Sequence, residues 1–439
     1  REGEAISWHI TELLQKKLSK INFERVVFNE ITKKAITEAI KNPRGLDIDL
    51  INAYNARLAI DYLIGFNISP VLWKRLPGAN SAGRVQSVAL KLICEREKEI
   101  EKFNIEEYWT ISANFSNKDK TQFIGKLVQL EKKKLNKLDI KNEAQSLNAK
   151  KLVENNDWKV QSIEEKKVNR KPFAPFTTST LQQEASRKLN FSANKTMQVA
   201  QKLYEGINIG SETTGLITYM RTDGVQISIE SINSIRNKIQ KEYGKDYIPE
   251  KIRFYKTKAA NSQEAHEAIR PTSIDNSPQN IKKFLDHDQY RLYDLIWKRT
   301  VTSQMSDAVF NQTSVDIISS DGNNIMRSNG SVIIFEGFRK IYNESSDEKE
   351  NNPNYENEMI LPQLKENENL DLVNVISDQH FTQPPARFTD ASLIKKLEEL
   401  GIGRPSTYAS TIQTLEKRKY VYKESKRFFP ENTGRILSV

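Results

Sequence analysis

The sequence predicts a multidomain α+β chain, and three observations predict it. Its 439 residues exceed one ordinary domain, since domains usually run to about 100–200 residues. Apolar residues at helical spacing dominate both ends and the middle. Two blocks of strand-like alternation, from about 106 to 164 and from 308 to 375, bracket a helix-rich insert at 177–305.

Taken in order, residues 4–17 place Ile6, Ile10, Leu13 and Leu14 on one helical face, and 30–41 repeat the pattern with Asn29 as the expected N-cap. Residues 50–65 and 85–102 read as amphipathic helices, separated by Pro70, Pro77 and the small-residue turn from Gly78 to Gly83. From 106 the pattern changes to alternation, as in Tyr108-Trp109-Thr110-Ile111-Ser112-Ala113, with strands expected to about 164. A sheet that is left for the insert and re-entered at 308 supplies two connections, the arrangement of a hinge. Residues 343–358 hold almost nothing apolar and read as a mobile surface loop without a functional role. After Pro384-Pro385, helices return at 390–400 and 406–418, with Gly401 and Gly403 as stop signals. No fixed-period repeat suggests a solenoid.

Composition narrows the function. Hydrophobic residues make up 37% and charged residues 28%, enough for buried cores under a charged, soluble surface. No window offers the roughly 18 uncharged apolar residues of a membrane span, so no membrane partner and a cytoplasmic location are expected. Cys94, the single cysteine, excludes internal disulfides and multi-cysteine zinc sites and reads as core packing. A net charge of +10 and a pI near 9.2 suit a polyanion, because clustered Lys and Arg release counterions from phosphates. No phosphate-binding P-loop, dinucleotide fingerprint or H-E-x-x-H motif is present, so no nucleotide cofactor is expected.

Three patterns could carry chemistry. In Gly215-Leu-Ile-Thr-Tyr219-Met-Arg221-Thr-Asp223 a tyrosine and an arginine stand two apart, on one side of an extended segment. A phenol oxygen can attack phosphorus while a guanidinium offsets charge on the non-bridging oxygens. The bland alternative is a packing tyrosine beside a solvated arginine. In Ala265-His266-Glu267-Ala-Ile-Arg270-Pro271-Thr272, read as a short helix, His266 and Arg270 share a face. Together they could hold a phosphate, or His266 could move a proton; His9, His287 and His380 read as structural. Two glycine-rich basic turns, Ser81-Ala82-Gly83-Arg84-Val85-Gln86-Ser87 and Gly401-Ile402-Gly403-Arg404-Pro405-Ser406-Thr407, offer close backbone approach, an arginine and helix-start N–H groups to a phosphate. Either could equally be a helix cap that contains an arginine.

The segments GLITYMRTD, AHEAIRPT, SAGRVQSVALKLICEREKEI, PFTTSTLQQEASRKL and GIGRPSTYA together resemble the bacterial type IA DNA topoisomerases, in that family's order, from Arg1 to about residue 425. The resemblance implies a toroid of helical domains and a β-rich arch around a hole for duplex DNA. Its expected units are a Toprim remnant at 1–43, a helical DNA-binding unit at 44–105 with 381–439, the arch or hinge at 106–176 with 306–380, and 177–305 carrying the catalytic tyrosine. It implies ATP-independent relaxation of negatively supercoiled DNA through a 5′-phosphotyrosine, by a nucleoid-associated monomer acting on single-stranded segments.

Carried over residue by residue, the resemblance makes Tyr219 the nucleophile, Arg221 its phosphate-stabilising partner and His266 an assistant. Ser81, Ala82, Gly83, Arg84, Val85 and Gln86 would contact DNA, as would Arg404, Ser406 and Thr407. Arg57, Asp61 and Lys74 would line a single-strand groove, in a stretch where Leu58 and Tyr62 replace arginines common in relatives. Arg1-Glu2-Gly3-Glu4-Ala5 matches the tail of the family's D-x-D-R-E-G-E motif, so a core fragment lacking most of the Toprim domain is expected. The family's Mg²⁺ wants several oxygen ligands. Glu2, the catalytic carboxylate left here, is an incomplete metal site, and this chain is expected to hold metal weakly or not at all. A tyrosine recombinase or type IB enzyme is a poor rival, because there the Arg and His residues precede a late tyrosine. A single-stranded DNA-binding fragment without the full cycle is the alternative from another class.

Overall fold

The computed structural model of the chain describes residues 2–18, 21–76, 78, 81–210, 212–256, 267–345 and 360–438. Four helices come first: α1 (Glu2–Gln15), α2 (Lys33–Lys41), α3 (Ile48–Arg75) and α4 (Arg84–Glu101). The cap of α2 is Thr32, whose hydroxyl accepts from Ala35 N, and not Asn29. The backbone from Asn29 to Ile31 is irregular and bends at Asn29 and Glu30, and the Asn29 and Ile31 carbonyls serve another segment. The helix expected to end near 65 runs through Pro70 to Arg75. Proline costs one internal hydrogen bond, and Leu76 N still reaches Leu72 O at 2.8 Å, so the turn beyond it holds.

Next come β1 (Glu107–Ser116), β2 (Gln122–Leu130), β3 (Lys133–Lys134), α5 (Glu143–Glu154) and β4 (Trp158–Arg170). Helix α5 interrupts a stretch expected to be all strand. Asn142 caps it, and it buries only Ser146, Ala149 and Val153 among lysines and glutamates, too thin a stripe to stand out in sequence. The insert holds α6 (Thr178–Glu184), a π-helical turn (Ala185–Leu189), α7 (Ala193–Glu205), the small hairpin β5 (Ile207–Asn208) and β6 (Thr213–Thr214), α8 (Ile229–Tyr243), α9 (Pro278–Ile281) and α10 (His287–Ser303). Then follow β7 (Ala308–Ser319), β8 (Ile325–Phe335), β9 (Asn369–Phe381), α11 (Asp390–Glu399), α12 (Tyr408–Lys417), the hairpin β10 (Val421–Glu424) with β11 (Arg427–Pro430), and α13 (Asn432–Leu437).

The large antiparallel sheet runs β1-β9-β4-β7-β8-β2-β3, and β1 also pairs with β2, which closes it into a ring. Strands β4 and β7 pair from Trp158 with Ser319 to Arg170 with Ala308. The chain therefore leaves the sheet for the insert and returns on adjacent strands. Among the described residues three buried cores result. One fills the insert around Leu181, Leu203, Ile217 and Tyr293. A second joins α4, α11 and α12 through Ile93, Cys94, Leu397 and Leu415. The third lines the sheet with Phe115, Trp158 and Val315.

Of the predicted 343–358 loop, 346–358 lies outside the described residues. Its first residues are tied down. Ser345 N donates to Glu184 Oε1 at 3.3 Å and Arg299 Nη1 meets Glu344 Oε1 at 3.0 Å. Burial pushes the Glu344 carboxyl above its usual range, against the pull of Arg299. Among the described residues no helix is long and apolar enough to cross a membrane.

Candidate site around Tyr219

The segment from Gly215 to Asp223 is an irregular run hung on its neighbours, with a single bridge from Ile217 to Pro271. Leu216 N donates to Leu203 O, and Gly215 N donates to Ile31 O at 2.9 Å. Thr218 N donates to Arg270 O at 2.9 Å, and the Thr178 hydroxyl donates to Met220 O at 2.7 Å. Residues 214–218 are all buried, so the expected alternation holds only from Tyr219 on. There a half-buried Tyr219 and an exposed Arg221 flank the buried Met220.

Tyr219 N donates to Asn29 O at 2.7 Å, and its ring meets Tyr204 edge-on at 5.3 Å between centroids. Burial, with a smaller contribution from Tyr219, raises the Tyr204 phenol above its ordinary range. Gly215 is required here, because a Cβ would stand 2.5 Å from Tyr204 O.

The expected helix over AHEAIRPT is absent from its described part, 267–272, which is extended and bridges Ile269 to Phe176 and Pro271 to Ile217. Backbone hydrogen bonds of Ile269 and Thr272 go sideways to Phe176 and Leu216, leaving none for a helical turn. His266 lies outside the described residues. Arg270 is 7% exposed. Its guanidinium is taken by Glu267 at 2.6 Å, Glu30 at 3.2 Å and Pro271 O at 3.0 Å. The phosphate-holding role suggested by its spacing does not fit that saturated, buried group.

Asp61 on α3 accepts from Arg84 Nε at 2.7 Å and faces Arg57 Nε at 3.8 Å. That hydrogen bond raises the Arg84 guanidinium above its ordinary value. Lys74, Leu58 and Tyr62 are exposed on the same helix, and Tyr62 stacks on Phe66 at 4.3 Å. Ser81 donates its N–H to the Tyr420 hydroxyl and accepts from it through its carbonyl, both at 2.9 Å. Ala82 N points to Ser69 Oγ, Gln86 Nε2 donates to Ser81 O, and Gly83 caps α4 with Val85 half-buried behind it. In the second turn Gly401 and Gly403 take φ of +67° and +82°, a region open to glycine. Thr407 Oγ1 accepts from Arg404 N at 2.9 Å, Arg404 Nη1 donates to Gly403 O, and Ser406 is exposed.

Two pairings escaped the sequence reading. Ser179, in the PFTTST segment at the start of α6, donates to Glu398 Oε2 on α11 at 2.6 Å. Burial pushes the Glu398 carboxyl up, with Asp223 adding to it, while Tyr408 beside them is pushed up to about 12, mainly by burial. The motifs holding Asp223, Ser179 and Arg404 therefore converge. At the amino end Glu4, 4% exposed, accepts from Arg44 Nη1 and Nη2 and from Asp47 N. Glu2 is exposed at the start of α1. Among the described residues no three His, Cys, Asp or Glu side chains come together to hold a metal. With Glu4 committed to Arg44, the residues described do not fit a Mg²⁺ site.

Residues 45–439 match the family model described as DNA topoisomerase. The chain is 53% identical over 443 residues to DNA topoisomerase 1 of Rickettsia bellii (strain RML369-C), covering all of this chain and 55% of that protein. To DNA topoisomerase 1 of Zymomonas mobilis subsp. mobilis it is 51% identical over 440 residues, covering all of this chain and 35% of that protein. The solved structure of full-length topoisomerase I from Thermotoga maritima superposes with a TM-score of 0.81 at 36% identity, over 98% of this chain and 67% of that one. The chain thus spans about half the length of the Rickettsia relative.

Proposed function

Because the chain belongs to the bacterial type IA DNA topoisomerase family, we propose that it relaxes negatively supercoiled DNA without ATP, through a transient single-strand break held by Tyr219. The Tyr219 phenol oxygen bonds to phosphorus as the P–O3′ bond breaks. The phenol proton is lost and the 3′ oxygen takes one up. The 5′ phosphate stays on the tyrosine, a strand passes, and attack by the 3′ hydroxyl reverses the exchange. The ester keeps the bond energy, so no nucleotide is consumed.

The observation that carries this reading is the placement of Tyr219: half-buried, pinned by Asn29 O, braced edge-on by Tyr204, with an exposed Arg221 two residues on. In this reading Arg221 meets the non-bridging oxygens, and His266 assists. Arg57, Lys74, Arg84, Arg404, Ser406 and Thr407 take the strand's phosphates, Asp61 orients Arg84, and residues 81–86 bring backbone close. The closed sheet is the arch, 177–305 the moving unit and 44–105 with 381–439 the DNA-binding unit, beside 1–43. The protein acts as a nucleoid-associated cytoplasmic monomer on single-stranded segments. Mg²⁺ is the family's cofactor in this reading, and no step above passes through it.

The test is Tyr219→Phe in the intact protein. Wild type should relax supercoiled plasmid and form a denaturation-resistant adduct with a labelled oligonucleotide, and the variant should do neither. Relaxation that survives in Tyr219→Phe removes the nucleophile assignment. Oligonucleotide binding by wild type without any adduct would leave a single-stranded DNA-binding chain.

A further inference from the structure

We infer that Arg270 is a positioning residue that couples the placement of Tyr219 to closure of the seam between residues 29–32 and the insert. The inference rests on Tyr219 being the nucleophile. One arm of Arg270 is its backbone: Arg270 O accepts from Thr218 N at 2.9 Å, and Arg270 N donates to Thr218 Oγ1 at 3.0 Å, directly before Tyr219 in the chain. The other arm is the guanidinium, whose Nη2 donates to Glu30 Oε2 at 3.2 Å. Asn29, the neighbour of Glu30, supplies the carbonyl that takes Tyr219 N. Two consecutive residues thus hold Tyr219 and Arg270 at once. Thr32 Oγ1 steadies the other oxygen of Glu30 at 3.1 Å.

Glu30 and Arg270 are 240 residues apart in sequence, so only the seam brings them together. Separating the insert from residues 29–32 breaks the Tyr219–Asn29 and Arg270–Glu30 bonds together. Glu267 explains why that separation is tolerable. Its Oε2 accepts from Arg270 Nε at 3.0 Å and from Nη2 at 2.6 Å, and its Oε1 accepts from Ser228 N. Arg270 therefore keeps a carboxylate partner inside the insert after Glu30 has gone, and no buried charge is stranded. Serving two carboxylates and a carbonyl at once requires the fork of a guanidinium, which an ammonium lacks.

The experiment compares wild type, Glu30→Gln, Arg270→Lys and the double variant in the intact protein. Single-turnover formation of the tyrosyl–oligonucleotide adduct is read beside oligonucleotide affinity and Tm. Glu30→Gln should slow adduct formation about tenfold, the scale of a modest misplacement of a reacting group. Affinity should stay within about twofold and Tm within about 2 °C, because Glu30 lies at the seam and outside the cores. Arg270→Lys should slow the same step, and the double variant should be no slower than the slower single, as for two residues on one route. Adduct formation at the wild-type rate in Glu30→Gln overturns the inference, and so does a rate loss that only tracks lost Tm. Absence of the adduct in wild type would instead sink the assignment of Tyr219.

Discussion

The Ser179 hydroxyl donates to Glu398 Oε2 at 2.6 Å where α6 of the insert packs against α11. Glu398 is held in a largely buried place with Asp223 nearby, and both raise its carboxyl above the ordinary 4.5. A carboxyl raised on folding binds its proton more tightly in the folded state. Its contribution is full below 4.5 and is lost as pH rises through the raised value. Glu398→Gln should therefore flatten the rise of instability with pH above 4.5, read as Tm by calorimetry across a pH series. A Tm profile in Glu398→Gln that parallels wild type across that range would refute the assignment. Ser179→Ala should cost about 1 kcal/mol through the lost donor.

A carboxylate of the opposite kind, on α4, pins the chain where it leaves β9 for α11. Glu97 accepts from Arg387 Nε at 2.7 Å and from Arg387 Nη2 at 2.8 Å, and is 7% exposed at its side chain. The Arg387 hydrogen bond holds its carboxyl below the usual range. This stability is present above 4.5 and fades as pH falls through the lowered value. Arg387→Ala leaves the carboxylate buried without its fork and should cost about 3 kcal/mol at neutral pH, with the deficit shrinking in acid. Chemical denaturation at two pH values measures both.

These two pairs also show where the sequence was readable. Helices α4, α11 and α12 fall within two residues of their expected bounds, because each buries a full apolar stripe such as Ala89, Leu90, Ile93 and Cys94. Helix α5 buries too little to print a stripe, and the extended 267–272 segment carries helical spacing that tertiary hydrogen bonds override. The motif holding Tyr219 was legible as a pattern of residue types. The partners that place it were not: Asn29, Ile31 and Tyr204 reach it only through the fold. Ser179 and Glu398 stand 219 residues apart, a spacing no local period encodes.

Asp61 shares its carboxylate between Arg84 at 2.7 Å and Arg57 at 3.8 Å on an exposed face. If these arginines meet a strand's phosphates, Arg84→Ala should weaken single-strand binding and reduce the slope of log affinity against log salt by about 1. Asp61→Asn takes away the carboxylate that orients Arg84 and should weaken binding by less than Arg84→Ala does. Fluorescence anisotropy of a labelled oligonucleotide over a salt series reads both, and an unchanged slope in Arg84→Ala would place the phosphate contact elsewhere.

Two glycines give opposite outcomes for one added methyl. At Gly215 a Cβ would sit 2.5 Å from Tyr204 O and 3.2 Å from Ile31 O. Both are backbone atoms that cannot swing aside. The loop must move away from Leu203 and Ile31, which its own N–H groups hold, and Tyr219 moves with it. Gly215→Ala should cost about 1–3 kcal/mol and depress adduct formation by more than its loss of stability explains. At Gly65, inside α3, an added Cβ meets nothing within 4 Å, and the helix gains the entropy advantage of alanine. Gly65→Ala should therefore stabilise by about 0.5–1 kcal/mol with adduct formation unchanged. Tm and single-turnover rates on the two variants separate crowding at the Tyr219 loop from a general effect of glycine replacement, and a stable, fully active Gly215→Ala would show that the loop is not braced against Tyr204.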